Sequence, residues 1–229
     1  MMNKKIVFRW IKVLLLVYGL VGIIFYYVQD SLILHPRKLA AGTPYRFSQS
    51  FTELNLNYDQ ETNLNVVEFK AEPSDSLVKG VMLFFHDARG NIGDYADVSR
   101  GFTAQGYEVW MMDYPGFGKS TGPIDEQRLY DLALIFYKLA RSRWKPQQIV
   151  LYGQGFGTGI AAQLASIRDC RRLILQHPYS SMASVFRPYL FLYPLDGRFL
   201  HYHLPTHEYL EKVTAPVTVI KSDDPVITL

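Results

Sequence analysis

From Gly80 onward the chain alternates between short apolar runs and segments of helical spacing, and this alternation restricts the fold more than any other feature. GVMLFF (80–85), YEVWMMDY (107–114), QQIVLY (147–152), RRLILQ (171–176) and APVTVIK (215–221) lack the inside-outside alternation of a half-exposed strand. Continuous apolar strands belong to a parallel sheet covered on both faces. Between them, NIGDYADVSRGFTAQG reads as one helix ended by Gly106. A second helix starts near Pro123 and Asp125, with Leu129, Leu132, Phe136 and Leu139 on one face. TGIAAQLASIRD and EYLEKV supply two more. Strand–helix alternation of this kind predicts right-handed crossovers and a doubly wound α/β sheet. Upstream, FTELNLNYDQETNLNVVEFKAE holds two alternating runs around DQETN, which predicts a β-hairpin.

The 229 residues suit one domain plus an attachment. With 48% apolar and 20% charged residues, the chain is globular, and a net charge of +3 gives no argument for a nucleic-acid partner. The single cysteine, Cys170, excludes an intrachain disulfide and reads as buried packing. The attachment is N-terminal. Residues 13–28, VLLLVYGLVGIIFYYV, carry no charge, and counting back to Trp10 approaches the ~20 residues that cross a bilayer. Lys12 can snorkel, and Tyr26 and Tyr27 suit the opposite aromatic belt. Lys4, Lys5, Arg9 and Lys12 precede the run, so the expected topology has the N-terminus in the cytoplasm and everything after Asp30 on the extracytoplasmic side. No small-x-small cleavage site follows Val28, which argues against a signal peptide. The expected organisation is a tail and single-pass membrane anchor over 1–29, a linker over 30–50, and an α/β domain over 51–229.

The stretch LYGQGFGTG (151–159) leaves a strand, turns on glycines and enters a helix. A nucleophile on such a turn needs small neighbours, which Gly153, Gly157 and Gly159 supply. Position 155, where the nucleophile would sit, is glycine. As a phosphate cradle the loop fits neither G-x-G-x-x-G, since residue 158 is Thr, nor the Walker pattern, which lacks its Lys. GKSTG (118–122) matches G-x-S-x-G by letter, but Pro123 follows, so Ser120 leads into a loop. FFHDARGN (84–91) ends a buried strand with His86 and Asp87; a structural histidine is the plain alternative there. Asp223 and Asp224 follow the last strand, where functional carboxylates and solvated turns are both common. His201-x-His203-x3-His207 has zinc-like spacing, but Pro205 interrupts any shared helical face, and no metal is expected. The aromatic stretch SVFRPYLFLYPLDGRFLHYHL reads as a cap, a pocket wall or a surface resting on a membrane, with core packing as the alternative.

Together FFHDARGN, MMDYPGFGKSTG, VLYGQGFGTGIAAQLAS, LILQHPYSS and PVTVIKSDDPVI resemble the α/β-hydrolase family, in particular single-anchor members of its serine-aminopeptidase-like group. The second stretch resembles the family's D-Y-x-G-x-G-x-S-x-G loop. The resemblance implies the α/β-hydrolase fold and a Ser–His–Asp acyl-transfer mechanism on esters, amides or lipids, without a cofactor. Carried across, the nucleophile position is Gly155, the acid position is Asp224, and the oxyanion amides are those of Ala88 and Phe156. The family's His-Gly becomes His86-Asp87, an acid beside the oxyanion site, and its H-G before the acid becomes Lys221-Ser222. The family's histidine lies in a loop after one further strand, which the sequence to Leu229 does not reach, so the final strand and helix are expected to be missing.

The leading expectation is therefore a membrane-anchored pseudohydrolase without serine-hydrolase turnover, binding an acyl or lipid ligand or a partner. The expected ligand pocket contains His86, Asp87, Gln154 and Tyr179, and the exposed sheet edge invites homo-oligomer formation. A second reading is an active hydrolase with a relocated nucleophile, Ser120, Ser180 or Ser181. A third is a truncated, decayed gene product.

Overall fold

The computed structural model describes residues 4–72, 77–188, 190, 193 and 199–221. In chain order they form α1 (Lys4–Ile33), β1 (His35–Pro36), β2 (Phe51–Asn57), β3 (Asn63–Phe69), β4 (Gly80–Phe85), β5 (Arg89–Gly90), α2 (Ile92–Tyr95), α3 (Val98–Thr103) and β6 (Tyr107–Met112). There follow α4 (Glu126–Arg141), β7 (Ile149–Gln154), α5 (Gly157–Ile167), β8 (Arg172–Gln176), α6 (Met182–Phe186), α7 (Thr206–Leu210) and β9 (Val217–Ile220). Seven strands make one sheet in the order β2-β3-β6-β4-β7-β8-β9. β2, β3 and β6 pair antiparallel, and the remaining pairs are parallel. The hairpin and the doubly wound sheet are thus as the sequence predicts.

The apolar strands are explained by two cores. Leu83, Phe85, Trp110, Leu151 and Leu173 point to the side covered by α4 and α5, where Leu129, Phe136, Ile160 and Leu164 meet them. Their neighbours Met82, Phe84, Val109, Val150 and Ile174 point to the other side, against Ile92 and Phe102. Each side chain buried this way contributes about 1.5–3 kcal/mol. Asp125 caps α4 by accepting from the Arg128 N–H at 2.8 Å. Among the described residues β9 is a sheet edge, with Val217 and Val219 exposed.

Three local expectations change. NIGDYADVSRGFTAQG is two short helices rather than one, because tight bonds from Ser99 N–H to Ala96 and from Arg100 N–H to Asp97 interrupt the α-helical pattern. α1 runs four residues past the expected end, to Ile33. Residues 35–38 are no free linker: β1 pairs in parallel with β5, and Lys38 bridges to Gly118. α1 itself is long and apolar enough to cross a membrane.

Candidate functional site

The turn between β7 and α5 keeps the backbone of a nucleophile elbow. Gly155 has φ +52°, in the left-handed region. Its N–H donates to the Gln176 carbonyl at 2.9 Å, and its own carbonyl accepts from the Thr158 N–H and hydroxyl. The flanking glycines are sterically required. A Cβ at Gly153 would lie 2.6 Å from Thr158 Cα, and one at Gly157 would lie 2.5 Å from the Phe85 carbonyl carbon. The chain therefore bends as a serine elbow does, around a residue with no side chain.

Asp87 fills that space. Its Oδ1 accepts from the Phe156 N–H at 2.8 Å. A Cβ built on Gly155 would collide with this carboxylate, whose atoms are its three nearest neighbours. The Phe156 amide, which the resemblance assigns to the oxyanion hole, thus already holds an internal anion at the N-terminal end of α5. The helix dipole favours a carboxylate there by about 0.3–1 kcal/mol. A second negative charge developing at the same spot would meet repulsion instead of stabilisation. Tyr179 closes the arrangement, its hydroxyl donating to the Phe156 carbonyl at 3.0 Å. Burial, and then the negative charge of Asp87, push this phenol well above its usual value.

Above this floor lies a cavity of about 230 Å³. Asp87, Ala88, Gly155 and Phe156 form its base; Tyr179, α6 and the last turn of α1 form its walls, with Arg89 at the rim. Two residues expected in the pocket do not line it. His86 is fully buried, its ring between Tyr95 and Tyr114, with Nδ1 at 2.6 Å from the Asp87 carbonyl and Nε2 at 3.5 Å from Asp113. The Tyr114 hydroxyl also donates to the His86 carbonyl, so the imidazole packs the sheet end beneath the cavity. Gln154, the last residue of β7, is not among the cavity's lining residues. Asp224 and its neighbour Asp223 lie outside the described residues.

The other sequence candidates are engaged elsewhere. The Ser120 hydroxyl is buried, donating to the Asp113 carbonyl at 2.7 Å and accepting from the Asn65 N–H at 2.8 Å. Ser181 caps α6, and the carbonyl of exposed Ser180 accepts from the His207 N–H. His201, His203 and His207 turn to Asp30, Glu126 and the Ser180 carbonyl respectively. Among the described residues no cluster of His, Cys, Asp and Glu could hold a metal. Leu32 and Ile33 were not anticipated as pocket residues. The available signal was Gln29, an amide directly after the uncharged run, which ties the end of α1 to the domain.

Comparison with known proteins gives a consistent result. Residues 76–220 match the family model described as serine aminopeptidase, S33. The alpha/beta hydrolase domain-containing protein 17C of Mus musculus is 30% identical over 151 residues, covering 64% of this chain and 45% of the relative. Protein bem46 of Schizosaccharomyces pombe is 25% identical over 186 residues, covering 76% of this chain and 61% of the relative. The chain thus spans less than two thirds of the length of either. Among solved structures, an alpha-beta hydrolase from Vibrio vulnificus superposes with a TM-score of 0.60 at 19% identity, over 77% of this chain and 65% of that one. At that identity the likeness shows the fold.

Proposed function

This chain belongs to the serine aminopeptidase S33 family and has the α/β-hydrolase fold, and from that premise we propose that it is a membrane-anchored pseudohydrolase that binds an acyl or lipid ligand without cleaving it. One observation carries the reading: the place of the nucleophile's side chain is taken by the Asp87 carboxylate, which also occupies the Phe156 amide. Acyl transfer needs an attacking oxygen at that point and a free donor for the tetrahedral oxyanion. Here both requirements fail at the same place, and losing a nucleophile alone lowers turnover by roughly 10⁶-fold. What persists is the capacity to bind. The cavity is mostly apolar, with the Asp87 carboxylate at its base, the Tyr179 phenol in its wall and Arg89 at its rim, and it lies beside the last turn of α1. That position favours a ligand arriving from a membrane surface, with the cations ahead of the apolar run on the cytoplasmic side and the domain on the other.

The relocated-nucleophile alternative loses support from Ser120 and Ser181, whose hydroxyls serve the fold. The test is incubation of the full chain in nanodiscs with a panel of acyl esters, amides and glycerolipids, with products followed by mass spectrometry. The expected result is no product above protein-free nanodiscs, together with a lipid that stays bound through purification. Heat-sensitive turnover abolished by Ser180→Ala would overturn the reading in favour of a displaced nucleophile.

A further inference from the structure

Described residues of the cap, the segment between β8 and α7, grip the second half of α1. The rings of Tyr18 and Tyr193 stack with centroids 4.4 Å apart and planes 7° apart, and the Tyr193 hydroxyl donates to the Tyr18 carbonyl at 2.5 Å. One turn on, a Cβ at Gly22 would lie 2.8 Å from Tyr193 Cε1, so glycine admits the ring. Phe25 packs against Phe186 and Phe199. Gln29, fully buried, donates to the Phe199 carbonyl at 3.1 Å and accepts from the His201 N–H at 2.8 Å, so cap backbone satisfies both ends of its amide.

These contacts conflict with a domain standing clear of the bilayer. The hydrocarbon layer is about 30 Å thick, and a helix rises about 1.5 Å per residue. If every α1 residue that touches the cap lay in water, residues 6–17 would have to span it, about 18 Å of helix with Arg9 and Lys12 inside. The uncharged run 13–28 gives about 24 Å, and only by including Tyr18, Gly22 and Phe25. We propose that the cap lies along α1 within the hydrocarbon of the leaflet next to the domain. By helix rise Tyr193 then sits about 15 Å below the level of Val28, less where the helix tilts. This rests on the reading that α1 spans a membrane.

The chemistry of the face suits that depth. The Tyr193 hydroxyl and the Gln29 amide are paired, as hydrocarbon demands of polar groups. The groove beside them, about 560 Å³ between Tyr18, Gly22, Ile23, Tyr26, Tyr193 and Phe199, is lined almost wholly by apolar surface. At ~30 Å³ per water-sized unit it holds roughly nineteen units, the scale of one acyl chain. The occupant we assign to it is a lipid acyl chain of the bilayer.

The test uses the full chain in nanodiscs, with Cys170→Ala removing the native thiol and single bimane labels introduced by Leu14→Cys, Tyr193→Cys, Leu190→Cys and Gln60→Cys. Iodide quenches labels in water, and lipids carrying acyl-chain nitroxides quench labels in hydrocarbon. The expected result is strong iodide quenching at 60 only, with 14, 190 and 193 protected, and nitroxide quenching at 193. Because Tyr193→Cys removes a ring, the label at 190, which leaves that ring in place and lies between Phe186 and Tyr193, decides where the two disagree. Iodide access at 190 equal to that at 60, with 14 protected, overturns the proposal and leaves the anchor standing. Iodide access at 14 overturns the anchor itself, and the proposal with it.

Discussion

Gly155 and Asp87 share one volume, so their substitutions must be coupled. Gly155→Ser forces a side chain into a backbone at φ +52°, costing about 1–2 kcal/mol. The new Cβ also expels the Asp87 carboxylate from the Phe156 N–H, and losing a hydrogen bond to a charged group costs a further ~1.5–3 kcal/mol. Gly155→Ser alone should therefore destabilise by about 2.5–5 kcal/mol. Asp87→Ala alone gives up the same hydrogen bond, about 1.5–3 kcal/mol. In the double variant the collision is gone and the bond can be lost only once, so the cost equals that of Gly155→Ser alone. The coupling energy is then about 1.5–3 kcal/mol. Guanidinium unfolding of the four proteins in detergent micelles, followed by the fluorescence of buried Trp110, measures the cycle. Additive effects within about 0.5 kcal/mol would refute the shared-volume argument. So would a Gly155→Ser variant as stable as the parent.

Three further outcomes follow from other parts of the molecule. Ser120→Ala removes a buried hydroxyl that joins Asn65 to Asp113, and should lower stability by about 1–3 kcal/mol while leaving ligand retention unchanged. Asp59 is held down to about 2, chiefly by the Arg128 guanidinium at 2.8 Å and then by the Glu61 and Thr62 N–H groups. A depressed carboxylate stabilises the fold above its unfolded value near 3.8 and loses that contribution as the pH falls towards about 2. Arg128→Ala should bring the carbon-13 NMR titration of Asp59 up towards the unfolded value. Burial pushes the Cys170 thiol up to about 12, so iodoacetamide at pH 8 should modify the native protein far more slowly than the unfolded chain, as intact mass would record.

The sheet was legible because its central strands β4, β6, β7 and β8 are buried on both faces, and because its helices have one apolar face; the edge strand β9, with Val217 and Val219 exposed, reads the same in sequence although it is not covered. The elbow was legible for a related reason. Glycines at 153 and 157 meet backbone of the adjoining turn and of strand β4, and a sequence that places them around a strand end announces the bend. What failed was whatever depends on a partner far along the chain. Gln29 and Asp30 look like the polar end of a membrane helix, yet α1 continues because their partners, Phe199 and His201, wait some 170 residues away. His86 has the sequence position of a pocket residue, but Tyr95 and Tyr114 close over it from later elements. The inward turn of Asp87 was also invisible, because the donor that turns it, Phe156 N–H, belongs to another strand–helix junction.

A pseudohydrolase of the kind proposed requires that no serine in this protein act as a nucleophile. The most direct test is the intact mass of the folded full chain after incubation with a fluorophosphonate probe, beside an active serine hydrolase treated identically. The expected result is an unchanged mass for this chain and a stoichiometric adduct on the control. A stoichiometric adduct that maps to any serine of this chain, and that disappears on denaturation before labelling, would contradict it.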